Sequence, residues 1–176
     1  LQRLFESTGR RLTIGGNRGR PLSALLLDTD LSNPIALAVS SFQLESVISF
    51  RPHIAVLLNI DEAHLDRHRP AAEYIRIKSR IFMNHRPDDI LILPFDDDRL
   101  RPLARKHHGR TFFVSQKQPV DRGAWLERDS IVLNFDGTTE RIKAQEWLNL
   151  CAFPDDLLAS MLVARLCHPA VRSSIA

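Results

Sequence analysis

The sequence predicts a three-layer α/β fold on a mainly parallel sheet, with a small antiparallel hairpin addition. Three observations predict it. Short apolar runs alternate with helical patterns through the first two-thirds of the chain; several of those runs are apolar along their whole length; and past residue 125 the pattern changes to a weak alternation around a turn signal. Strand–helix alternation marks βαβ units, and strands covered by helices on both faces lose the polar half of their pattern.

In chain order, Leu1, Leu4 and Phe5 lie on one side of an amphipathic helix. The chain begins at Leu1 rather than methionine, in what reads as the middle of that helix, so a fragment of a longer polypeptide is expected. Apolar runs predict strands over 12–15, 35–39, 54–59, 90–93 and 111–114. Helical spacing predicts helices over 22–27, 42–49, 71–84, 99–107 and 156–167. Pro21 and Pro70 stand at helix starts, where a missing N–H costs little. The segment 125–144 reads as a β-hairpin: residues 131–135 alternate, Asp136-Gly137 is a turn signal, and 138–142 return antiparallel. Repeats and low-complexity tracts are absent from the sequence, and a single domain over 1–176 is expected.

The 176 residues are 44% hydrophobic and 26% charged, which suits a soluble domain with a real core. No apolar run approaches the roughly 20 residues that span a bilayer. The opening residues carry charge without an apolar signal core, which points to a cytoplasmic protein. Cys151 and Cys167 fit no zinc spacing and read as reduced thiols. Net charge is +3, with arginine outnumbering lysine, so the surface attracts anions. The basic residues are scattered among acidic ones and no aromatics interleave with them, which argues against a nucleic-acid platform.

The informative stretch is Ser40-Ser41-Phe42-Gln43-Leu44-Glu45, then Ala55-Val56-Leu57-Leu58-Asn59, then His64-Leu65-Asp66-Arg67-His68. Two buried strands each end in polar residues, at the sheet edge where open α/β folds bind ligands. Each polar residue also has a plainer reading. Ser40 or Ser41 can cap the following helix. Gly15-Gly16-Asn17 is a common turn composition. His64 can hydrogen-bond loop backbone, and Asp66 and Arg67 can pair with each other. Lys78 can lay its stem on apolar surface with its charge in water; its neighbours at i−4 and i+4, Tyr74 and Phe82, put two aromatics on its face.

The segments SSFQLE, LLNIDEAHLDRH and EYIRIKSRIF, with GGNRGRPL before them and LPFDDDRLRPLA after, resemble the central domain of MurD-type Mur ligases, the UDP-N-acetylmuramoyl-L-alanine:D-glutamate ligases. The similarity runs from about Arg10 to about Leu166, with several ordered motifs at matching separations. It implies a Mur ligase central-domain-like sheet of the P-loop type. It also implies ATP-dependent activation of a carboxylate of a UDP-muramyl peptide to an acyl phosphate, attack by the amine of D-glutamate, and magnesium to neutralise phosphate charge. By the same resemblance Asn17, Ser40 and Gln43 contact the UDP-muramyl substrate, His64 ligates magnesium, and Lys78 is a carbamylated lysine that helps hold the metal; burial beside Tyr74 and Phe82 would favour the neutral amine that reacts with carbon dioxide. Flanking domains, or other cell-wall enzymes, are the implied partners.

Three departures bear on that function. No G-x-x-G-K-[ST] phosphate loop precedes the opening helix in this sequence. Ala38 stands where the family places a metal-ligating glutamate, two residues before the paired serines. Ala152-Phe153 stands where it carries a His-Asn pair, with Asp156 near its final asparagine. The expectation is therefore the core of a peptidoglycan ligase that is inactive as the isolated chain and binds ATP and magnesium poorly. The alternative is a degenerate, non-catalytic binding or scaffolding module.

Overall fold

Strand positions follow the apolar runs. The computed structural model describes residues 1–7, 9–17, 19–28, 32–60, 71–149 and 151–167. Helix α1 (Gln2–Glu6) leads into β1 (Thr13–Gly16), α2 (Leu22–Asp28), β2 (Ile35–Ala38), α3 (Ser41–Glu45), β3 (Ile54–Val56) and α4 (Ala71–Ser79). Then come β4 (Ile90–Pro94), β5 (Arg110–Ser115), β6 (Gly123–Glu127), β7 (Ser130–Phe135), β8 (Thr138–Lys143), α5 (Gln145–Leu148) and α6 (Pro154–Leu166).

The strands form two sheets. β1 and β2 pair in parallel; the larger sheet runs β3-β4-β5-β6-β7-β8, parallel through β6 and antiparallel after it. The three-layer arrangement is visible on β4, buried at every position. Ile90 and Ile92 face a core shared with Leu158 and Leu162 of α6, whereas Leu91 and Leu93 face the opposite core with Tyr74 and Phe82. A strand covered on both sides has no polar face to show, which is why the run is apolar throughout. The turn between β7 and β8 carries left-handed backbone at Asp136 (φ 50°) and Gly137 (φ 96°), as an Asp-Gly hairpin demands.

Several elements differ from expectation, among them β3, which ends at Val56 rather than residue 59, and the unexpected α5. The hairpin is preceded by β6, which joins it to the parallel sheet. Gly123 opens β6 with φ 146°, and a Cβ there would stand 1.8 Å from the Phe113 carbonyl oxygen, so only glycine admits this approach. The helix expected over 42–49 ends at Glu45. Its continuation is held irregular by side chains of the next helical segment: the Arg80 guanidinium donates to the carbonyls of Leu44 (2.7 Å) and Val47 (2.6 Å), and the Asn84 amide to those of Ile48 (2.9 Å) and Phe50 (3.0 Å). The helix expected over 71–84 tightens into a 3-10 turn at Arg80–Phe82. The one expected over 99–107 is a 3-10 helix, Arg101–Lys106, with Pro102 in its first turn. No helix among the described residues is long and apolar enough to cross a membrane.

Candidate functional site

The candidate site is built at the C-terminal edge of β1 and β2. The two strands are in register, with Gly16 opposite Ala38, and the Asn17 N–H extends the ladder to the Ala38 carbonyl at 2.7 Å. The chain after Asn17 folds back at once, because the Gly16 N–H donates to the Arg20 carbonyl at 2.8 Å. That return presses Arg20 against the strand: a Cβ on Gly15 would lie 2.3 Å from the Arg20 carbonyl oxygen. Exposed Asn17 therefore stands at the mouth of β1, beside the end of β2.

Ser40 follows at the mouth of β2 as the N-cap of α3. Its hydroxyl accepts from the Gln43 N–H (3.3 Å), and the Gln43 side-chain oxygen accepts from the Ser40 N–H (2.9 Å), which closes a capping box. The capping reading of Ser40 and Gln43 is thus what the local geometry displays. With its oxygen committed to Ser40, the exposed Gln43 side chain offers its NH2 group outward. Ser41 is buried, and Leu44 anchors the helix in the core.

Lys78 sits on α4, half-buried, with its Nζ 5.4 Å from the Tyr74 ring centroid. Of the aromatics expected to frame it, Tyr74 does so. Phe82 lies beyond the end of α4 and packs in the core against the rings of His85 and His107, at 6.3 and 5.7 Å between centroids. Arg80, two residues after Lys78, docks on the carbonyls of Leu44 and Val47, so this end of α4 meets the C-terminal end of α3. Ser40 and Gln43 occupy the opposite, N-terminal end of that helix. His64, Asp66 and Arg67 lie outside the described residues.

Beside this edge lies a cleft of about 880 Å³ between α1, the end of β3 and α6, lined by Leu58, Trp147, Cys151 and Asp156 among others. Its walls combine apolar side chains with the polar Gln2, Arg3, Glu6, Asp156 and Ser160. At the ends of β4 and β5, Asp96 accepts from the Ser115 hydroxyl (2.9 Å) and the Gln116 N–H (2.8 Å), and the Gln116 amide donates to Asp155 at 3.0 Å. Burial pushes the Asp155 carboxyl up from its ordinary value, only partly offset by that hydrogen bond.

For magnesium the described residues do not fit. Ala38 carries a methyl group at the position where the resemblance requires a carboxylate. Among the described residues the one group of three or more potential ligands, His53, Asp88 and Asp89, sits at the opposite end of β3 and β4. That group serves another purpose. Asp89 is fully buried and accepts from Arg51 (2.6 and 3.0 Å), the Arg86 N–H (2.7 Å) and His53 (3.1 Å), which ties the loops entering β3 and β4 together. Burial alone would raise its carboxyl; the hydrogen bonds from Arg51, Arg86 and His53 outweigh burial and hold it at about 2. Next to it, His85 and His107 meet at 2.8 Å, and burial, followed by the proximity of His85, lowers His107 to about 4. Sequence reading passed over this network. Its only signal is the pair of polar stretches Arg51-Pro52-His53 and His85 to Asp89 set just before two apolar strands.

Residues 21–150 match the model of the Mur ligase middle domain. The chain belongs to the Mur ligase family. Among its relatives, the UDP-N-acetylmuramoylalanine–D-glutamate ligase of Thermoanaerobacter sp. (strain X514) is 37% identical over 142 residues, covering 81% of this chain and 31% of the relative. That of Geotalea uraniireducens (strain Rf4) is 39% identical over 137 residues, covering 78% and 30%. The chain thus spans about a third of the length of the curated Mur ligases it matches. Among solved structures, MurF from Acinetobacter baumannii superposes with a TM-score of 0.57 at 20% identity, covering 92% of this chain and 37% of that one. MurF ligase from Thermotoga maritima in complex with ADP gives 0.52 at 19% identity, covering 80% and 35%. These similarities establish the Mur ligase central-domain fold.

Proposed function

We propose that this chain is the central, nucleotide-handling domain of a cytoplasmic, ATP-dependent ligase that adds D-glutamate to UDP-N-acetylmuramoyl-L-alanine in peptidoglycan synthesis. The observation that carries this reading is 37% identity over 142 residues to ligases of that description. In it, residues 1–176 are one domain, and Asn17 and Gln43 present amide donors to the UDP-muramyl substrate from the ends of β1 and α3. Ser40 fixes the orientation of Gln43 through the capping box. Lys78, carbamylated, and His64 would serve a metal. ATP, when bound, supplies the phosphoryl group that activates the substrate carboxylate. In this reading the chain's own part is to bind and orient the substrate, and the isolated chain is inactive.

A second reading, a non-catalytic binding or scaffolding module with other cell-wall enzymes as partners, is favoured by one feature. Ala38, within the matched region, and Ala152-Phe153, just beyond it, stand where the resemblance expects metal- and nucleotide-facing residues, and truncation does not create internal substitutions. The test is phosphate release by the full-length protein given ATP, UDP-N-acetylmuramoyl-L-alanine and D-glutamate. Turnover that depends on both substrates supports the ligase. Folded protein that binds the UDP-muramyl compound without turnover selects the module.

A further inference from the structure

We infer that Arg80 is a positioning residue that acts through Gln43 and so rests on the substrate reading above. Its guanidinium sets α3 on α4 so that the Gln43 amide meets the UDP-muramyl compound. Gln43 rides on α3 and Lys78 on α4, so the placement of one against the other depends on what joins the two helices. On its own, α3 is weakly held. It has five residues, of which Ser41 and Leu44 are buried, and Leu44 is the only large one. A helix this short has little stability of its own and takes its place from tertiary contacts. Those contacts run chiefly to α4 and to the 3-10 turn at Arg80–Phe82. That platform is firm, because Tyr74, Ile77 and Phe82 are buried and two of them pack with Leu91 and Leu93 of β4.

Arg80 joins platform and helix. Its Nε donates to the Leu44 carbonyl at 2.7 Å, and its Nη2 donates to the Val47 carbonyl at 2.6 Å. Leu44 is in the last turn of α3, where carbonyls lack a partner within the helix and a cation complements the dipole; Val47 lies just past that turn. A guanidinium presents its N–H groups along a rigid planar edge, so two bonds together fix both the distance and the angle of approach. An ammonium on a flexible stem is a point charge and fixes neither. From Leu44 the constraint reaches Ser40 through a single backbone bond, in which the Ser40 carbonyl accepts from the Leu44 N–H at 3.1 Å. The capping box then ties Gln43 to the same Ser40. The clamped carbonyl and the substrate-facing amide thus belong to adjacent residues of one rigid turn.

Asn84 supplies the internal control. Its amide donates to the carbonyls of Ile48 (2.9 Å) and Phe50 (3.0 Å), both beyond the end of α3. It supports the same stretch of chain from the same helical segment, and its bonds fall outside the turn that carries Gln43. Removing either side chain costs hydrogen bonds to the stretch; only Arg80 fixes the helix.

The test uses the full-length natural protein with Arg80→Met, Gln43→Ala, the two combined, and Asn84→Ala. Amide hydrogen exchange reads the positioning without any substrate. In Arg80→Met the N–H groups of Gln43 and Leu44 are expected to exchange about tenfold faster while Ile77 in α4 keeps its parental rate; Asn84→Ala is expected to leave all three unchanged. Calorimetric titration with UDP-N-acetylmuramoyl-L-alanine reads the consequence. Arg80→Met and Gln43→Ala are each expected to weaken binding about tenfold, and the combined variant to bind no worse than Gln43→Ala alone, because the first residue acts through the second. Asn84→Ala is expected to bind as the parent does. If Arg80→Met does not fold, Arg80→Lys carries the same test, with losses of about threefold. Losses that multiply to about a hundredfold in the combined variant overturn the proposal, as does an equal loss of affinity in Asn84→Ala. Unaltered exchange at Gln43 and Leu44 overturns it too, and leaves the substrate reading standing. Parental affinity in Gln43→Ala sinks the substrate reading of that residue, and the proposal with it, even where exchange is faster.

Discussion

Gln43→Glu separates capping from recognition at the end of β2. In the capping box the Gln43 oxygen accepts from the Ser40 N–H at 2.9 Å, and the Ser40 hydroxyl accepts from the Gln43 N–H at 3.3 Å. A glutamate keeps both bonds and adds a negative charge to the first turn of α3, where the helix dipole favours it. Stability should stay within about 0.5 kcal/mol of the parent, whereas Ser40→Ala, which deletes the cap, should cost about 1 kcal/mol. Binding should behave differently. Under the proposed function the carboxylate lacks the NH2 donors that face outward and repels an anionic UDP-linked substrate. Loss of one hydrogen bond to a charged group is worth about 1.5–3 kcal/mol, which weakens binding roughly 10- to 100-fold. Urea unfolding and calorimetric titration of the full-length protein with UDP-N-acetylmuramoyl-L-alanine give the two numbers. Unaltered affinity in Gln43→Glu would reduce the residue to a cap. A stability loss equal to that of Ser40→Ala would refute the capping argument.

Four further outcomes follow from the geometry. Asp89, held at about 2 against an ordinary 3.8, contributes about 2 kcal/mol of stability at neutral pH. Because the folded value is the depressed one, this stability is present above pH ~4 and is lost as pH falls through ~2; Asp89→Asn should lower the urea midpoint at pH 7 and flatten its decline in acid. His107, lowered to about 4 from 6.5, is charged more readily in the unfolded chain, so stability should fall as pH drops from about 6.5 to 4; discounted for partial exposure the change is about 1–2 kcal/mol, and His107→Gln should remove it from the pH profile. Gly123→Ala forces a Cβ against the Phe113 carbonyl at positive φ and should cost at least ~2 kcal/mol in thermal unfolding, whereas Gly137→Ala, in open space, should cost less. Ala38→Glu restores a carboxylate to the exposed end of β2; magnesium affinity should rise about tenfold, and an unchanged value in a titration would show that no metal pocket remains there.

Legibility followed the range of the forces involved. Burial on both faces wrote β4 into the sequence as an unbroken apolar run, and the Asp136-Gly137 turn was readable because its backbone conformation restricts residue type locally. The capping reading of Ser40 and Gln43 was equally local, four residues closing on themselves. The end of α3 was not, because the donors that hold Val47, Ile48 and Phe50 out of a helix come from Arg80 and Asn84. The Asp89 network was hidden for the same reason: Arg51 and His53 approach it from another strand entrance.

By itself, the sequence determined the α/β class, the order of the strands along the chain, the hairpin and the membership implied by its motifs, since side-chain periodicity and short-range turn chemistry are carried by neighbouring residues. Only the tertiary structure decided that the sheet divides between β2 and β3, that Gly123 brings a further strand against β5, and that Arg80 docks on the C-terminal end of α3. Those features depend on which backbone groups meet across space, and hydrogen bonds between distant segments leave no periodic trace in either partner.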